Sequence, residues 1–334
     1  MKAIALISGG LDSILAARFM RELGIEIIPL NFKIPFCQKA VKKIDGLSQE
    51  LMAVDIGADF LEMLKQPEYG YGSHMNPCID CKILMLRKAK ELMPAFGAAF
   101  IVTGEVLGQR PMSQHKQALV LIAKKAGLEG LVLRPLSAKL LSETTPEKEG
   151  WVEREKLMDF SGRSRKAQMS LAEKFGIKEY AQPAGGCLLT DPLFTAKLKD
   201  LIRHEELNLE NVELLKLGRH FRLDSGAKLI VGRDEKENAR LAGLAKDQDY
   251  LFMPAQTAGP TALGRGVFND GLIQLSAAIV SRYCDRNGNN APDIIYRQTG
   301  TAPVPRPGSG QAGDCPCLFK APPIEESILA KLRV

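Results

Sequence analysis

The chain opens on an unbroken apolar run, Ala3-Ile4-Ala5-Leu6-Ile7, that stops at a glycine pair. A run without polar alternation over residues 2–7 predicts a strand buried on both faces. Residues 13–23 then carry Ile14, Leu15, Ala17, Phe19 and Met20 at helical spacing and end at Gly24. The same reading predicts a second strand over 25–32, a helix over 43–57 and a third strand over 59–64. A helix over 81–93, a strand over 99–104 and a helix over 114–126 follow a loop rich in Gly, Tyr, Pro and His. Strands alternating with helices imply a parallel sheet with crossovers on both faces. The expected fold class is α/β, a doubly wound parallel sheet.

Residues 130–136 look strand-like, and helices are expected near 148–158 and 164–175. The segment Gln182-Pro183-Ala184-Gly185-Gly186-Cys187-Leu188-Leu189-Thr190-Asp191-Pro192 is turn-rich and is expected to close this domain. The pattern then changes to short extended pieces over 215–232, an apolar helix over 271–283 and Gly and Pro crowding over 298–316. This change places a boundary near 195, giving a domain over 1–194 and a smaller α+β domain over 195–334. No internal repeat is visible.

The hexapeptide Ser8-Gly9-Gly10-Leu11-Asp12-Ser13 sits where the first strand hands over to a helix. Two glycines let backbone approach phosphate oxygens and adopt positive φ. Ser8 and Ser13 offer hydroxyls, and the amides of a helix N-terminus face an anion. Asp12 is the candidate for holding Mg²⁺ between phosphates. The loop lacks the lysine of a Walker A motif, which disfavours transfer of a γ-phosphate. Gly104, Gly108 and Gln109 follow the strand at 99–104, where open parallel sheets bind ligands beyond the strand C-termini.

Composition narrows the setting. The 334 residues are 45% hydrophobic and 25% charged, ordinary for a globular chain with room for a sizeable core. The net charge of +6 permits an anionic partner without demanding one. The first apolar run is too short for a signal peptide, and no stretch approaches membrane-spanning length, so a cytoplasmic protein with no membrane partner is expected. Seven cysteines, an odd number, argue there against a disulfide framework.

Cys78-Ile79-Asp80-Cys81 stands at a helix start, where dipole and amides favour thiolates, and Cys187 lies in a Gly-Gly-Cys turn. Three readings remain open. Cys81 or Cys187 carries sulfur as a redox or persulfide thiol; zinc binds with a fourth ligand such as His74 or another cysteine; or Cys78, Cys81 and Cys187 hold an iron–sulfur cluster with one iron open. Cys315-Pro316-Cys317 offers a relay or a metal pair, while Cys37 and Cys284 read as ordinary loop or buried thiols.

The hexapeptide in this position resembles the PP-loop, or N-type, ATP pyrophosphatases. The resemblance implies an adenine nucleotide alpha hydrolase-like fold over roughly the first 190 residues. It also implies cleavage of ATP between its α and β phosphates, with AMP passed to a carbonyl or carboxylate oxygen. Thr103-Gly104-Glu105-Val106-Leu107-Gly108-Gln109, Ser113-Gln114 and Leu133-Arg134-Pro135-Leu136 look like the 4-thiouridine synthetase (ThiI-like) branch. Arg110-Pro111-Met112 is an insertion relative to that pattern. The Asn-Pro-Cys-x-x-Cys frame also resembles the 2-thiouridylase (MnmA-like) branch, in which two of these positions are thiol catalysts. CxxC plus a cysteine about a hundred residues on looks like the cluster-dependent tRNA thiolases. The resemblance thus implies ATP, Mg²⁺ and a [4Fe–4S] cluster as cofactors, and tRNA and a sulfur donor (sulfide or a persulfide carrier) as partners. Asp12, Cys81 and Cys187 would be catalytic, and Cys78 a cluster ligand. The persulfide type of this family carries a rhodanese domain, for which the chain has no evident room.

The family also carries an N-terminal RNA-binding module, so RNA contact is expected from the second half. There Val231-Gly232-Arg233-x-x-x-x-Asn238 resembles the NFACT-R RNA-binding domain. Arg219, His220, Arg222, Arg233 and Lys236 are the candidates for phosphates, and Phe221 for stacking on a base. Lys148, Arg154, Lys156, Arg163, Arg165 and Lys166 offer a second basic face. The expected function is a tRNA sulfurtransferase that adenylates a uridine carbonyl and replaces its oxygen with sulfur. The rivals are a PP-loop sulfur or nitrogen transferase acting on a small molecule, and a non-catalytic RNA-binding protein that senses nucleotide.

Overall fold

Burial on both sides of the first strand is where the architecture starts. In the computed structural model, which describes residues 1–37, 50–180, 187–285, 291–300 and 317–334, Ala3 and Ala5 of β1 (Lys2–Leu6) enter one core and Ile4 the opposite one. The chain divides into two units, Met1–Thr195 and Ala196–Val334. After β1 the first unit holds α1 (Leu11–Glu22), β2 (Glu26–Lys33), β3 (Met52–Asp55), α2 (Gly57–Lys65) and α3 (Cys78–Phe96). It continues with β4 (Phe100–Thr103), α4 (Lys116–Lys125), β5 (Val132–Leu133), α5 (Thr145–Lys148) and α6 (Lys166–Lys174).

The five strands run parallel in the order β3-β2-β1-β4-β5. One face packs Leu15 and Phe19 of α1 and Leu171 of α6 against Phe100 and Val102. The other packs Leu86 of α3 and Ile122 of α4 against Leu30 and Ile101. Helices on both faces of a parallel sheet make the expected doubly wound fold. The order of strands reverses between β1 and β4, so a crevice opens there beyond their C-termini.

Three expected elements differ. Residues 59–64 lie in helix α2, because Phe60, Leu61 and Leu64 are the buried positions, a helical spacing rather than an alternating one. The helix expected over 43–57 falls partly on residues 38–49, outside the described residues, and its C-terminal part is β3. The helix expected over 148–158 is interrupted. The one-turn α5, closed by a Thr144–Glu147 capping box, ends before Gly150, whose φ of +67° cannot continue a helix, and only a 3₁₀ turn, Arg154–Lys156, follows.

The second unit takes most of α7 (Pro192–Arg203), then α8 (Leu209–Leu215), β6 (Arg219–Arg222), β7 (Ala227–Val231), α9 (Glu235–Gly243), β8 (Tyr250–Pro254) and β9 (Ala262–Gly266). α10 (Asp270–Arg282), β10 (Asp293–Gln298), β11 (Cys317–Lys320) and α11 (Glu326–Leu332) complete it. Its six strands pair antiparallel in the order β11-β10-β8-β9-β7-β6. Ile273, Ala277 and Val280 of α10 cover one face through Phe221, Leu229 and Phe252, while Leu214 and Leu241 cover the other through Ile230 and Leu263. This is the smaller α+β domain. Among the described residues no helix is long and apolar enough to cross a membrane.

Candidate functional site

β1 delivers Ser8–Ser13 to the crevice where the strand order reverses, and β4 delivers Gly104–Gln109 beside it. Gly9 has a φ of +76°, a conformation that favours glycine. Gly10 caps α1 without a side-chain hydrogen bond, leaving its first-turn amides to an external acceptor. The serines brace the turn: Ser13 Oγ donates to the Gly10 carbonyl at 2.8 Å, and the Ser8 amide donates to Ser13 Oγ at 3.2 Å.

Two contacts join the motifs. A Cβ on Gly104 would lie 2.4 Å from the Asp12 carbonyl, so only glycine lets the β4 loop rest on the first turn of α1. Gln109 Nε2 donates to Asp12 Oδ2 at 3.0 Å across 97 positions of sequence. Asp12 Oδ1 is buried with no hydrogen-bond partner. An unmatched carboxylate oxygen beside uncapped helix amides fits Mg²⁺ between phosphates. Gly108, at φ +75°, turns the loop, and its amide donates to the Gln114 carbonyl at 2.7 Å. Ser113 Oγ and Gln114 Oε1 are also buried without a partner.

Behind this loop lies a buried charge cluster that the residue-by-residue reading passed over. Glu105 accepts from Lys82 and, at 2.8 Å, from Arg134 Nε, while Thr103 Oγ1 donates to it at 3.1 Å. Burial alone would raise its carboxyl, but Lys82 and then Arg134 overcome this and hold it at about 2. Glu105 and Arg134 lie inside the motif stretches. Lys82, next to Cys81 on α3, had no signal beyond its place after CxxC.

α3 begins at Cys78 and carries Cys81 one turn further in. Asp80 fixes the preceding loop by accepting from the amides of Glu68 and Tyr69 at 2.9 and 3.1 Å. The Met75 amide donates to the Leu189 carbonyl at 3.2 Å, tying that loop to the turn that starts at Cys187. Cys187 in turn forms an antiparallel bridge with Cys37, and the Leu188 amide donates to the Phe36 carbonyl at 3.0 Å. Cys37 is exposed, whereas Cys78, Cys81 and Cys187 are half-buried. Cys37 is therefore no isolated loop thiol; its signal was its position just past the C-terminus of β2.

Burial pushes the Cys81 thiol well up, and Cys187, Cys78 and Cys37 push it further. Burial also moves Cys187 to about 11. In the metal-free chain this desolvation works against the preference of the helix start for a thiolate at Cys81, one turn inside α3. Cys78 Sγ donates to Asn76 Oδ1 at 2.6 Å. Among the described residues no three His, Cys, Asp or Glu side chains stand ready-made for a metal ion. The donor set, thiols from three chain segments in one neighbourhood, nevertheless has the chemistry of a thiophilic centre. Cys315 lies outside the described residues, and the backbone of Cys317 pairs with Tyr296 at the start of β11.

The second unit divides the RNA candidates. Phe221 is fully buried and packs on Tyr283, so it cannot stack on a base. His220 is buried, its ring Nε2 2.8 Å from the Leu217 carbonyl, and burial lowers its pKa. Arg222 is committed to Asp200 and Glu206 at 2.6 and 2.8 Å. These three expectations fail although β6 is an edge strand: Phe221 faces one core, while His220 and Arg222 share the opposite face, the first buried and the second held by carboxylates. Arg233 and Lys236 are exposed, and Arg219 is half-buried over the Tyr283 ring at 4.6 Å. Gly232 and Asn238 are structural: a Cβ on Gly232 would lie 2.1 Å from Asn238 Oδ1, which accepts from the Thr261 amide at 3.0 Å. In the first unit, Arg154 pairs with Glu147 and Lys156 with Glu153.

The parallel sheet and the glycine turn at its reversal point have the layout of a PP-loop α/β fold. Residues 1–140 match the family model described as thiamine biosynthesis protein (ThiI), and residues 218–304 match that of the NFACT protein RNA binding domain. The chain thus carries a ThiI-like stretch ahead of an NFACT-R-like one, each match covering less than half of it. It is similar to a probable tRNA sulfurtransferase of Thermococcus kodakarensis, 32% identical over 40% of this chain and 36% of that protein. A tRNA-specific 2-thiouridylase MnmA of Petrotoga mobilis is 31% identical over 32% of this chain and 35% of that one. The crystal structure of a 4-thiouridine synthetase–RNA complex with bound ATP shares 21% identity at a TM-score of 0.34, over 52% of this chain and 51% of that one. The chain spans about a third of the length of the curated relatives it matches.

Proposed function

We propose that this chain is an ATP-dependent tRNA sulfurtransferase that adenylates a uridine carbonyl oxygen and replaces it with sulfur. The observation that carries the reading is the Gln109–Asp12 hydrogen bond, which sets a half-satisfied carboxylate beside the open amides of α1. In this reading residues 1–194 are the catalytic domain, acting in the cytoplasm, and 195–334 contact RNA. Ser8, Gly9, Gly10 and Ser13 bind the phosphates through amides and hydroxyls, Gly104 and Gly108 shape the adjoining wall, and Gln109 orients Asp12. Asp12 would hold Mg²⁺, which when bound would supply positive charge toward the pyrophosphate leaving group.

Cys78, Cys81 and Cys187 would hold a [4Fe–4S] cluster, which when bound supplies a site for inorganic sulfide; Cys81 and Cys187 are the thiols essential for sulfur delivery. The buried Glu105–Lys82–Arg134 cluster fixes α3 against the β4 loop, so thiols and phosphate loop belong to one rigid frame. The test is pyrophosphate release from ATP with and without bulk tRNA, together with thionucleoside content. Release that requires tRNA and is lost in Asp12→Asn supports the reading. Release without tRNA points instead to a small-molecule acceptor. RNA binding with no AMP formed would leave a nucleotide-sensing binding protein.

A further inference from the structure

Three backbone contacts gather the cysteines of the first unit, and they bring in one more than the sequence motifs imply. The Met75–Leu189 hydrogen bond ties the loop before CxxC to the Cys187 turn. The Cys37–Cys187 bridge and the Leu188–Phe36 hydrogen bond then pair the end of the β2 loop with that same turn. Cys78 and Cys81, three positions apart at the start of α3, share one side of the helix.

We infer that Cys37 is a fourth thiolate of this site, the solvent-exposed donor that completes a Cys37–Cys78–Cys81–Cys187 cradle for a thiophilic metal centre. Four cysteine sulfurs from three segments are the donor set that soft-metal sites use, and aspartate or histidine does not have to complete it. The exposure of Cys37, against half-burial of the other three, gives it a distinct part. The inner three stay fixed, and Cys37 is the ligand that an incoming anion can displace. With a cluster bound, hydrosulfide would take the fourth position and Cys37 would leave as a thiolate that water protonates, with no change of oxidation state. This exchange rests on the cluster reading above; the donor count does not.

Two measurements on the full chain separate the claims. Apo protein is titrated anaerobically with Co²⁺, whose thiolate-to-metal charge-transfer absorption counts bound sulfurs. Cys37→Ser is expected to remove about a quarter of that intensity and to weaken binding about tenfold. Cys284→Ser, a buried thiol of the other unit, is expected to change neither and controls for thiol loss in general. Cys187→Ser is expected to weaken Co²⁺ by more than Cys37→Ser.

In the second measurement the protein is reconstituted with iron and sulfide and oxidised with ferricyanide. The three-iron paramagnetic signal is expected to appear several-fold faster in Cys37→Ser than in the parent. Identical cobalt spectra and affinities for parent and Cys37→Ser, or no cobalt binding by the parent, overturn the fourth donor. A cobalt response that depends on Cys37 in a chain that takes up no iron or sulfide upholds the four-thiolate cradle and defeats the cluster. Equal rates of three-iron formation with a Cys37-dependent cobalt spectrum overturn the displaceable role alone.

Discussion

Gln109 occupies one oxygen of Asp12 and leaves the other buried without a partner, so this carboxylate is aimed rather than satisfied. Removing the amide in Gln109→Ala frees Asp12 to rotate, and one charge-assisted hydrogen bond is worth roughly 1.5–3 kcal/mol. ATP affinity measured calorimetrically with Mg²⁺ is therefore expected to fall about tenfold or more. Gln109→Glu, which sets a second carboxylate against the first, is expected to fall further. An unchanged affinity in both would show that Asp12 does not face the nucleotide.

Glu105 makes a different prediction at the same scale. Its carboxyl sits at about 2 in the folded chain against an ordinary 4.5, so folding favours its ionised form. That contribution, on the order of 3 kcal/mol, is fully present above pH 4.5 and is lost as pH falls from there through about 2. Glu105→Gln strands Lys82 and Arg134 and is expected to cost about 3–5 kcal/mol near neutral pH. Urea unfolding near pH 7 and pH 3 should show this gap narrowing in acid. A gap that stays constant would mean the carboxylate is not held ionised by its two cations.

At the scale of elements, α2 provides a direct test of which periodicity wins. In a strand Phe60, Glu62 and Leu64 would share a face, whereas in α2 Phe60, Leu61 and Leu64 do, and the Glu62 side chain is 73% exposed. Leu61→Ala is expected to destabilise by about 2–5 kcal/mol and Glu62→Ala by less than about 0.5 kcal/mol, read from denaturant midpoints. The reverse order would restore the strand.

The misreading of 59–64 has a physical source: a six-residue segment with four apolar positions fits both periods when its flanks are ignored. Gly57 and the Asp55 carboxylate, which accepts from the Gly57 amide at 2.8 Å, set the start of the helix. β1, α1 and β4 were legible because buried runs ending at glycines have few alternative structures. The phosphate loop was legible for the same reason, since strand, glycine pair and helix fix one another locally. The Cys37–Cys187 pairing and the Lys82–Glu105 contact were not, because they depend on which segments the sheet brings together. Phe221 and Arg222 misled in the opposite sense: aromatic and basic residues in a short strand read as an interface until the sheet places Phe221 in the core.

For the whole molecule, net charge and motif resemblance say less about RNA contact than the few cations that stay available. The chain carries +6, yet many of its basic side chains are joined to acidic partners, Arg222 and Arg154 among them. Arg233 is exposed but pairs with Glu237 on α9, at a cost that a phosphate contact must exceed. Lys236 is exposed next to it, and Arg219, paired with Val231 at the end of β7, donates to the Gly232 carbonyl of the same turn at 3.3 Å. If this corner meets the tRNA backbone, each lost phosphate contact removes about one condensed counterion from the salt dependence. Arg233→Ala combined with Lys236→Ala is then expected to weaken tRNA binding and to reduce the slope of log affinity against log salt by about two. ATP affinity without tRNA is expected to stay unchanged, since both residues belong to the second unit. A salt slope equal to that of the parent would remove this corner from the RNA surface while leaving the nucleotide site untouched. The same titration on Lys156→Ala and Arg163→Ala would then show whether the basic stretch of the first unit takes its place.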